Sequence, residues 1–111
     1  FELQSGAARF MDGAPPFPGL IALRASLQFF QSIGWTEIAA RVLSLNRRLA
    51  TELTCSGYAV DSPLKDSERS GNLILRMQNP DAVATALKER GIIVKSQAHG
   101  LRISTHIFND E

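Results

Sequence analysis

The sequence contains 111 residues, with 12 Lys and Arg against 11 Asp and Glu, so its formal net charge is +1. Hydrophobic residues make up 44% and charged residues 21%, a balance that is typical of a folded domain and not of a disordered chain. The charge lacks the basic excess that binding to nucleic acid or to a membrane surface requires. No apolar run approaches the roughly 20 residues that span a bilayer.

The two ends and the single cysteine indicate the context of the chain. The first residues include no starting Met and lack the basic start and apolar middle of a signal peptide. The last residues, Asn109 to Glu111, stop where a further helix could begin. Cys55 can form no intramolecular disulfide, which suits a reducing compartment. We therefore expect a fragment of a longer, cytoplasmic protein.

The first half of the chain predicts two helices after an irregular start. Residues 1–16 hold two glycines and two prolines and no sustained period, so they predict an extended lead-in. Apolar residues then recur at three- and four-residue steps from Leu20 to Phe30, and Gly34 can end this first helix. Thr36 can cap the second helix, in which an apolar stripe continues to Leu53.

The second half alternates short strands with one helix. Residues 58–60 suggest a short strand, residues 62–71 a solvated and mobile loop, and residues 73–77 a more central strand. Asn79 and Pro80 can begin a helix that continues to about Arg90.

Residues 91–109 predict two final strands. The apolar runs 92–94 and 101–103 flank a polar turn that contains Gly100. The order of elements is therefore α-α-β-β-α-β-β. This order predicts an α+β fold, with a small, mostly antiparallel sheet and helices packed on one of its faces.

Arg102 is the strongest candidate for a site residue on chemical grounds. On a strand between Leu101 and Ile103 its side chain alternates to the opposite face, where it points either to solvent or into a cleft. Its planar fork matches a carboxylate in two parallel hydrogen bonds. From spacing alone, an exposed arginine on an edge strand is the commoner case. His99 and His106 have no neighbouring cysteine or paired carboxylates, so we predict no metal site.

Several segments, in one order, resemble the C-terminal part of class V aminotransferases. This group of pyridoxal-phosphate enzymes of fold type I includes cysteine desulfurases and isopenicillin-N epimerase-like proteins. The last segment is similar to the family's Arg-x-Ser-x-His-x-x-Asn signature. The resemblance implies that residues 17–111 form the C-terminal small domain, and that residues 1–16 lead in from a missing large domain. The segments that carry it are residues 9–15, 17–23, 33–41, 45–49, 91–94 and 101–109.

The resemblance also implies roles for individual residues. Arg102 would bind the α-carboxylate of an amino-acid substrate. From the sequence pattern alone, His106 is either a partner of Arg102 in substrate binding or a hydrogen-bonded residue near the final helix. Gly13 and Ala14 lie where the family has Gly-Thr-Pro, a segment that reaches the cofactor phosphate of the other subunit in a homodimer. Because Ala14 replaces that threonine, only backbone N–H donors remain there.

The resemblance also restricts which activities are expected of this chain and of the protein it comes from. The lysine that binds pyridoxal phosphate lies in the family's large domain, so we expect this fragment to hold no cofactor and to be inactive alone. The loop formed by residues 95–100 has no cysteine, which favours an aminotransferase, epimerase or lyase over a persulfide-forming desulfurase. Two alternatives stay open: a parent that has lost activity, and a non-catalytic ligand-binding or regulatory module, which the β-α-β order of residues 73–94 would also suit.

Overall fold

Three α-helices and three β-strands form the regular structure of the described residues, 4–10 and 13–110, in a computed structural model of the chain. The strands form one antiparallel sheet, which confirms the predicted α+β class. The chain divides into two compact units, Phe1–Trp35 and Thr36–Glu111. No helix in the described ranges is both long enough and apolar enough to cross a membrane.

The first unit contains a short 3-10 helix, Gly6–Phe10, and helix α1, Phe17–Ile33. The prediction of an irregular, extended lead-in is therefore wrong for Gly6–Phe10. Gly34 ends α1 as predicted, because its φ of 102° suits glycine and its N–H donates to the carbonyl oxygen of Phe30. The apolar stripe of α1 is not buried in this chain, since the helix has no buried residue.

The second unit is built on helix α2, Trp35–Cys55, strand β1, Asn72–Arg76, helix α3, Pro80–Glu89, and strands β2, Lys95–Gln97, and β3, Gly100–Ser104. Helix α2 begins one residue before Thr36, which therefore lies in the first turn and is not the cap. The strands lie in the order β1-β3-β2. The apolar core comes from α2 and from one face of the sheet, and its buried members are Leu45, Ala50, Leu73, Leu75 and Leu101.

The segment before β1 covers the free edge of that strand. The N–H of Arg76 donates to Ala59 O at 2.8 Å, and the N–H of Asp61 donates to Ile74 O at 2.9 Å. Only Val60 forms a bridge, with Leu75. The strand predicted at residues 58–60 is thus reduced to a single bridge, because the N–H of Ile74 donates to the Ser62 side-chain Oγ at 2.8 Å and not to a backbone carbonyl of this segment.

The first strand of the final hairpin begins three residues later than predicted, whereas the second strand includes the predicted residues 101–103. Residues 92–94 are unpaired, and β2 begins at Lys95. The reason lies in the end of α3. Gly91 has φ 77°, its N–H donates to Lys88 O, and the N–H of Ile92 donates to Leu87 O. This Schellman arrangement uses Ile92 to close the helix, so its backbone is not available to the sheet.

Candidate substrate-binding face

Arg102 lies on the central strand, on the face of the sheet opposite the core. Leu101, the residue before it, is 1% exposed, whereas Arg102 is exposed. Strand β3 pairs on both sides, so that Arg102 lies opposite Ile74 of β1 and opposite Lys95 of β2. The alternation predicted from the sequence is therefore observed. Of its two predicted orientations, the side chain adopts the one towards solvent in this chain.

The residues that share this face form three cross-strand rows. The middle row is Ile74, Arg102 and Lys95, and the register places Asn72 opposite Ser104 in the row on one side. Ser104 Oγ donates to Asn72 Oδ1 at 2.7 Å, which links β3 to β1 beside the arginine. Ser104 of the signature sequence thus stabilises the sheet next to Arg102.

The third row contains a second arginine, which is neutralised within the chain. Arg76 donates from Nε and Nη2 to the two carboxylate oxygens of Asp61, at 3.1 and 2.5 Å. These hydrogen bonds, and then the negative charge of Asp61, raise the pKa of the Arg76 guanidinium above its ordinary value. Because Asp61 is engaged with Arg76, the fork geometry that suits a carboxylate ligand is already occupied at this position.

Arg102 and Lys95, unlike Arg76, have no carboxylate partner among residues 4–10 and 13–110. Neither makes a hydrogen bond or an ion pair with a carboxylate of those residues. Sequence reasoning missed the position of Lys95, because it placed the strand at residues 92–94. The two-residue turn at Ala98 and His99 places Gln97 opposite Gly100, and therefore Lys95 opposite Arg102. Neither turn residue is a typical turn former, so no local signal marked this register.

His106 lies in the turn that follows β3 and is half-buried. Its backbone N–H donates to Asn109 Oδ1 at 2.8 Å, and its ring stacks on Phe108 with 4.8 Å between ring centroids. The carbonyl oxygen of Asn109 accepts a hydrogen bond from Arg41 Nη2 of α2 at 3.1 Å. The His and Asn of the signature therefore hold this turn against α2, and a role of His106 in substrate binding stays a prediction.

Gly13 and Ala14 lie in the first unit, just before α1, and both are exposed. Gly13 has φ 142°, a backbone conformation that favours glycine. Ala14 presents a methyl group and no hydroxyl. Binding of the cofactor phosphate by the backbone N–H groups of this segment stays a prediction.

Two further features bear on ligand binding. An open groove of about 890 Å³ lies near the third row, between Asp61, Arg76, Asn79 and His99. Arg102 does not line it, so the candidate site is the flat face and not this groove. In the described parts of the chain, His, Cys, Asp and Glu form no group of three or more that could hold a metal ion.

Comparison with known proteins identifies the family of this chain. The family model for class-V aminotransferases matches residues 2–110. A kynureninase from Bacillus thuringiensis subsp. konkukian (strain 97-27) and one from Bacillus anthracis are each 27% identical over 103 residues, which is 88% of this chain and 24% of the relative. This chain thus spans about a quarter of the length of those enzymes.

The fold also matches a solved structure. The apo structure of a cysteine desulfurase from Thermococcus onnurineus NA1 superposes with a TM-score of 0.86 and 23% identity, covering 99% of this chain and 31% of that one. At this identity the likeness concerns the fold. Because the family model covers nearly the whole sequence, the chain belongs to the class V aminotransferase family.

Proposed function

We propose that this chain is the part of a pyridoxal-phosphate-dependent class V enzyme that binds the substrate carboxylate, and that Arg102 is the residue that binds it. The observation that supports this most is the position of Arg102. Its guanidinium lies exposed on the central strand, and no carboxylate of the described residues pairs with it. A fork with five N–H donors is therefore available to an amino acid.

The residues around Arg102 suit one end of an amino acid. Ile74, half-buried on one side of the arginine, offers apolar surface, and the Asn72–Ser104 hydrogen bond fixes the two strands. A bidentate contact fixes both the position and the plane of a carboxylate. It would thereby hold the α-carbon in one orientation, which is the contribution that positioning residues make to catalysis.

In this chain, the segment that contains Gly13 and Ala14 is the candidate for contact with the cofactor. Class V aminotransferases in general use pyridoxal phosphate, which acts as an electron sink when bond breaking occurs at the α-carbon of an amino acid. Gly13 and Ala14 are exposed and could donate backbone N–H groups to a phosphate. The absence of a hydroxyl at Ala14 makes this a weaker contact than the threonine of the family would give. We propose that the remaining contacts, including the cofactor lysine, come from a large domain, and that a homodimer brings the two halves together.

The reaction branch is part of the proposal. The β2–β3 turn consists of Ala98 and His99 and has no cysteine, so a persulfide carried on this loop is not available. The proposed reaction is therefore the transamination or epimerisation of an amino acid, or its cleavage by a lyase reaction, in the cytoplasm. Kynureninase, the name of the two curated relatives, is one activity to assay first.

The test uses Arg102→Gln and Arg102→Lys in the complete enzyme. Charge-assisted hydrogen bonds contribute about 1.5–3 kcal/mol, or roughly 10- to 150-fold in affinity. We expect Arg102→Gln to raise KM for an active amino acid in that range, and Arg102→Lys, which keeps the charge but not the fork, to recover only part of it. Arg90→Gln is the matched control, because Arg90 is an exposed arginine at the end of α3.

A second ligand makes the test specific for the carboxylate. The amine analogue that lacks this group is measured as a competitive inhibitor, and its Ki should be the same in wild type and in Arg102→Gln. An unchanged KM in Arg102→Gln would remove Arg102 from the site. If the complete wild-type protein binds no amino acid in a cofactor absorbance titration, then the parent is a non-catalytic module or has lost activity, and the proposal is wrong.

A further inference from the structure

Two positive side chains lie directly opposite each other on the exposed face of the sheet. Lys95 of β2 pairs in register with Arg102 of β3, and both are exposed on the same side. Directly opposed residues of an antiparallel pair have Cβ atoms roughly 4.5–5.5 Å apart. Two like charges at such a pair destabilise a sheet, whereas opposite charges stabilise it.

The surrounding described residues do not relieve this repulsion. Asp61 is the acidic residue that reaches this face, and both of its oxygens accept hydrogen bonds from Arg76. On its other side Arg102 lies opposite Ile74, which is apolar. The next residue of β2 on the same face is Gln97, which is neutral. The cation pair is therefore arranged to meet a negative group that comes from outside these residues.

We propose that Lys95 and Arg102 bind the same carboxylate. A carboxylate has two oxygens and about four lone-pair sites, so it can accept the two parallel hydrogen bonds of an arginine fork and one more from an ammonium group. Arginine and lysine both have long, flexible stems, and from Cβ atoms roughly 5 Å apart the two head groups can reach one anion. Lys95 is then a second determinant of specificity for a carboxylate over a neutral or amine ligand.

This proposal rests on the proposed function, and the experiment separates the two. Lys95→Gln, Lys95→Arg and Arg102→Gln are prepared in the complete enzyme, with Lys88→Gln as the matched control, since Lys88 is an exposed lysine of α3. The Lys95→Gln/Arg102→Gln double variant is prepared as well. KM and kcat are measured with a monocarboxylic and with a dicarboxylic amino acid, and Ki with the amine analogue of the first. Lys95→Met, which keeps the apolar stem, replaces Lys95→Gln if the latter does not fold.

The expected result is a rise of about five- to tenfold in KM for Lys95→Gln, with kcat within twofold and an unchanged Ki for the amine. This range lies just below the roughly 10- to 150-fold expected for Arg102, because Lys95 adds one hydrogen bond where Arg102 adds two. Lys95→Arg should restore KM because it keeps the positive charge, and the unchanged Ki for the amine separates this effect from a loss of strand structure, which would change both constants. In the double variant the two effects should not add, because both residues bind one group.

Three results would overturn the joint site. If Lys95→Gln behaves like Lys88→Gln while Arg102→Gln raises KM, joint binding is wrong and the proposed function stands. If Lys95→Gln affects only substrates with a second acidic group, then Lys95 binds a different carboxylate. If neither variant changes KM, both proposals fail.

Discussion

Gly100 offers the sharpest test of how the sheet supports the arginine. A Cβ at this position would lie 2.1 Å from Leu75 O and 2.9 Å from the carbonyl carbon of Leu75. Both are backbone atoms of the neighbouring strand β1, so they cannot rotate away as a side chain could. Since ordinary contacts lie at about 3.5 Å or more, β3 and β1 would have to separate by roughly 1 Å or more at this point.

Gly100→Ala should therefore destabilise the chain. Overpacking of a well-packed region costs about 1–3 kcal/mol, and we expect the upper end because the collision is with backbone. At about 4–8 °C per kcal/mol for a domain of this size, the midpoint of thermal unfolding should fall by roughly 10 °C or more. Circular dichroism of the 111-residue chain measures this shift, and urea unfolding gives the free energy independently.

Gly19→Ala is the matched control for this variant. Gly19 lies within α1, and a Cβ there meets only Pro16 Cβ, at 4.0 Å. Alanine is favoured over glycine in a helix by roughly 0.5–1 kcal/mol, so this variant should be unchanged or slightly more stable. If Gly100→Ala is as stable as Gly19→Ala, then β3 does not approach β1 this closely, and the register that places Arg102 opposite Ile74 is wrong.

Two further predictions concern parts of the chain away from the sheet. Asn46 is 1% exposed and accepts a hydrogen bond from Arg69 Nη1 at 3.2 Å. Asn46→Ala should therefore lower the free energy of unfolding, measured with urea, by about 1–3 kcal/mol. A loss below about 0.5 kcal/mol, on the order of a typical surface substitution, would show that this bond is not formed in solution. The apolar side chains of α1 are exposed, Ile21 by 70%, so the isolated chain should self-associate as its concentration rises and Ile21→Lys should weaken the association. Sedimentation velocity measures this, and a monomer at the highest concentration would contradict it.

The helices were predictable because their signals are local. Apolar spacing of three and four residues identified α1 and α2, and Gly34 and Gly91 ended their helices for the expected steric reason. The face of the sheet on which Arg102 lies was also predictable, because alternation along a strand follows from backbone geometry once the strand is recognised. These features depend on near neighbours in the sequence, and they needed no knowledge of the partner strands.

The hairpin register was not predictable from composition. Residues 92–94 have the stronger strand composition, yet the polar segment Lys95–Gln97 forms β2. The choice was made by backbone hydrogen bonds at both ends: the Schellman closure uses Ile92, and the turn at Ala98 and His99 fixes which residues face each other. Strand propensity reflects packing on a sheet more than a backbone preference, so it gave the wrong segment here.

The polar loop at residues 62–71 shows a second limit of prediction from the sequence. Its composition predicts a solvated segment, but the Arg69 side chain is only 6% exposed. It donates to Asn46 Oδ1 of α2 and to the carbonyl oxygen of Leu64. An arginine is rarely buried unless paired; its ion-pair partner Asp66 is three positions away, whereas Asn46 is 23 positions away in sequence. Only the tertiary arrangement brings Arg69 and Asn46 together, so neither could be identified from the sequence.

The exposure of Arg102 limits what a contact with a carboxylate can contribute at this position. An ion pair in open water contributes about 0–1 kcal/mol, because both groups are well hydrated and salt screens them. The same contact contributes about 1.5–3 kcal/mol when water is excluded. A flat face with two cations is therefore a weak site by itself and an effective one when another surface covers it. If Arg102 and Lys95 bind a carboxylate as we propose, a surface outside these residues has to shield the contact from water, and the two cations should discriminate between ligands only in the complete protein.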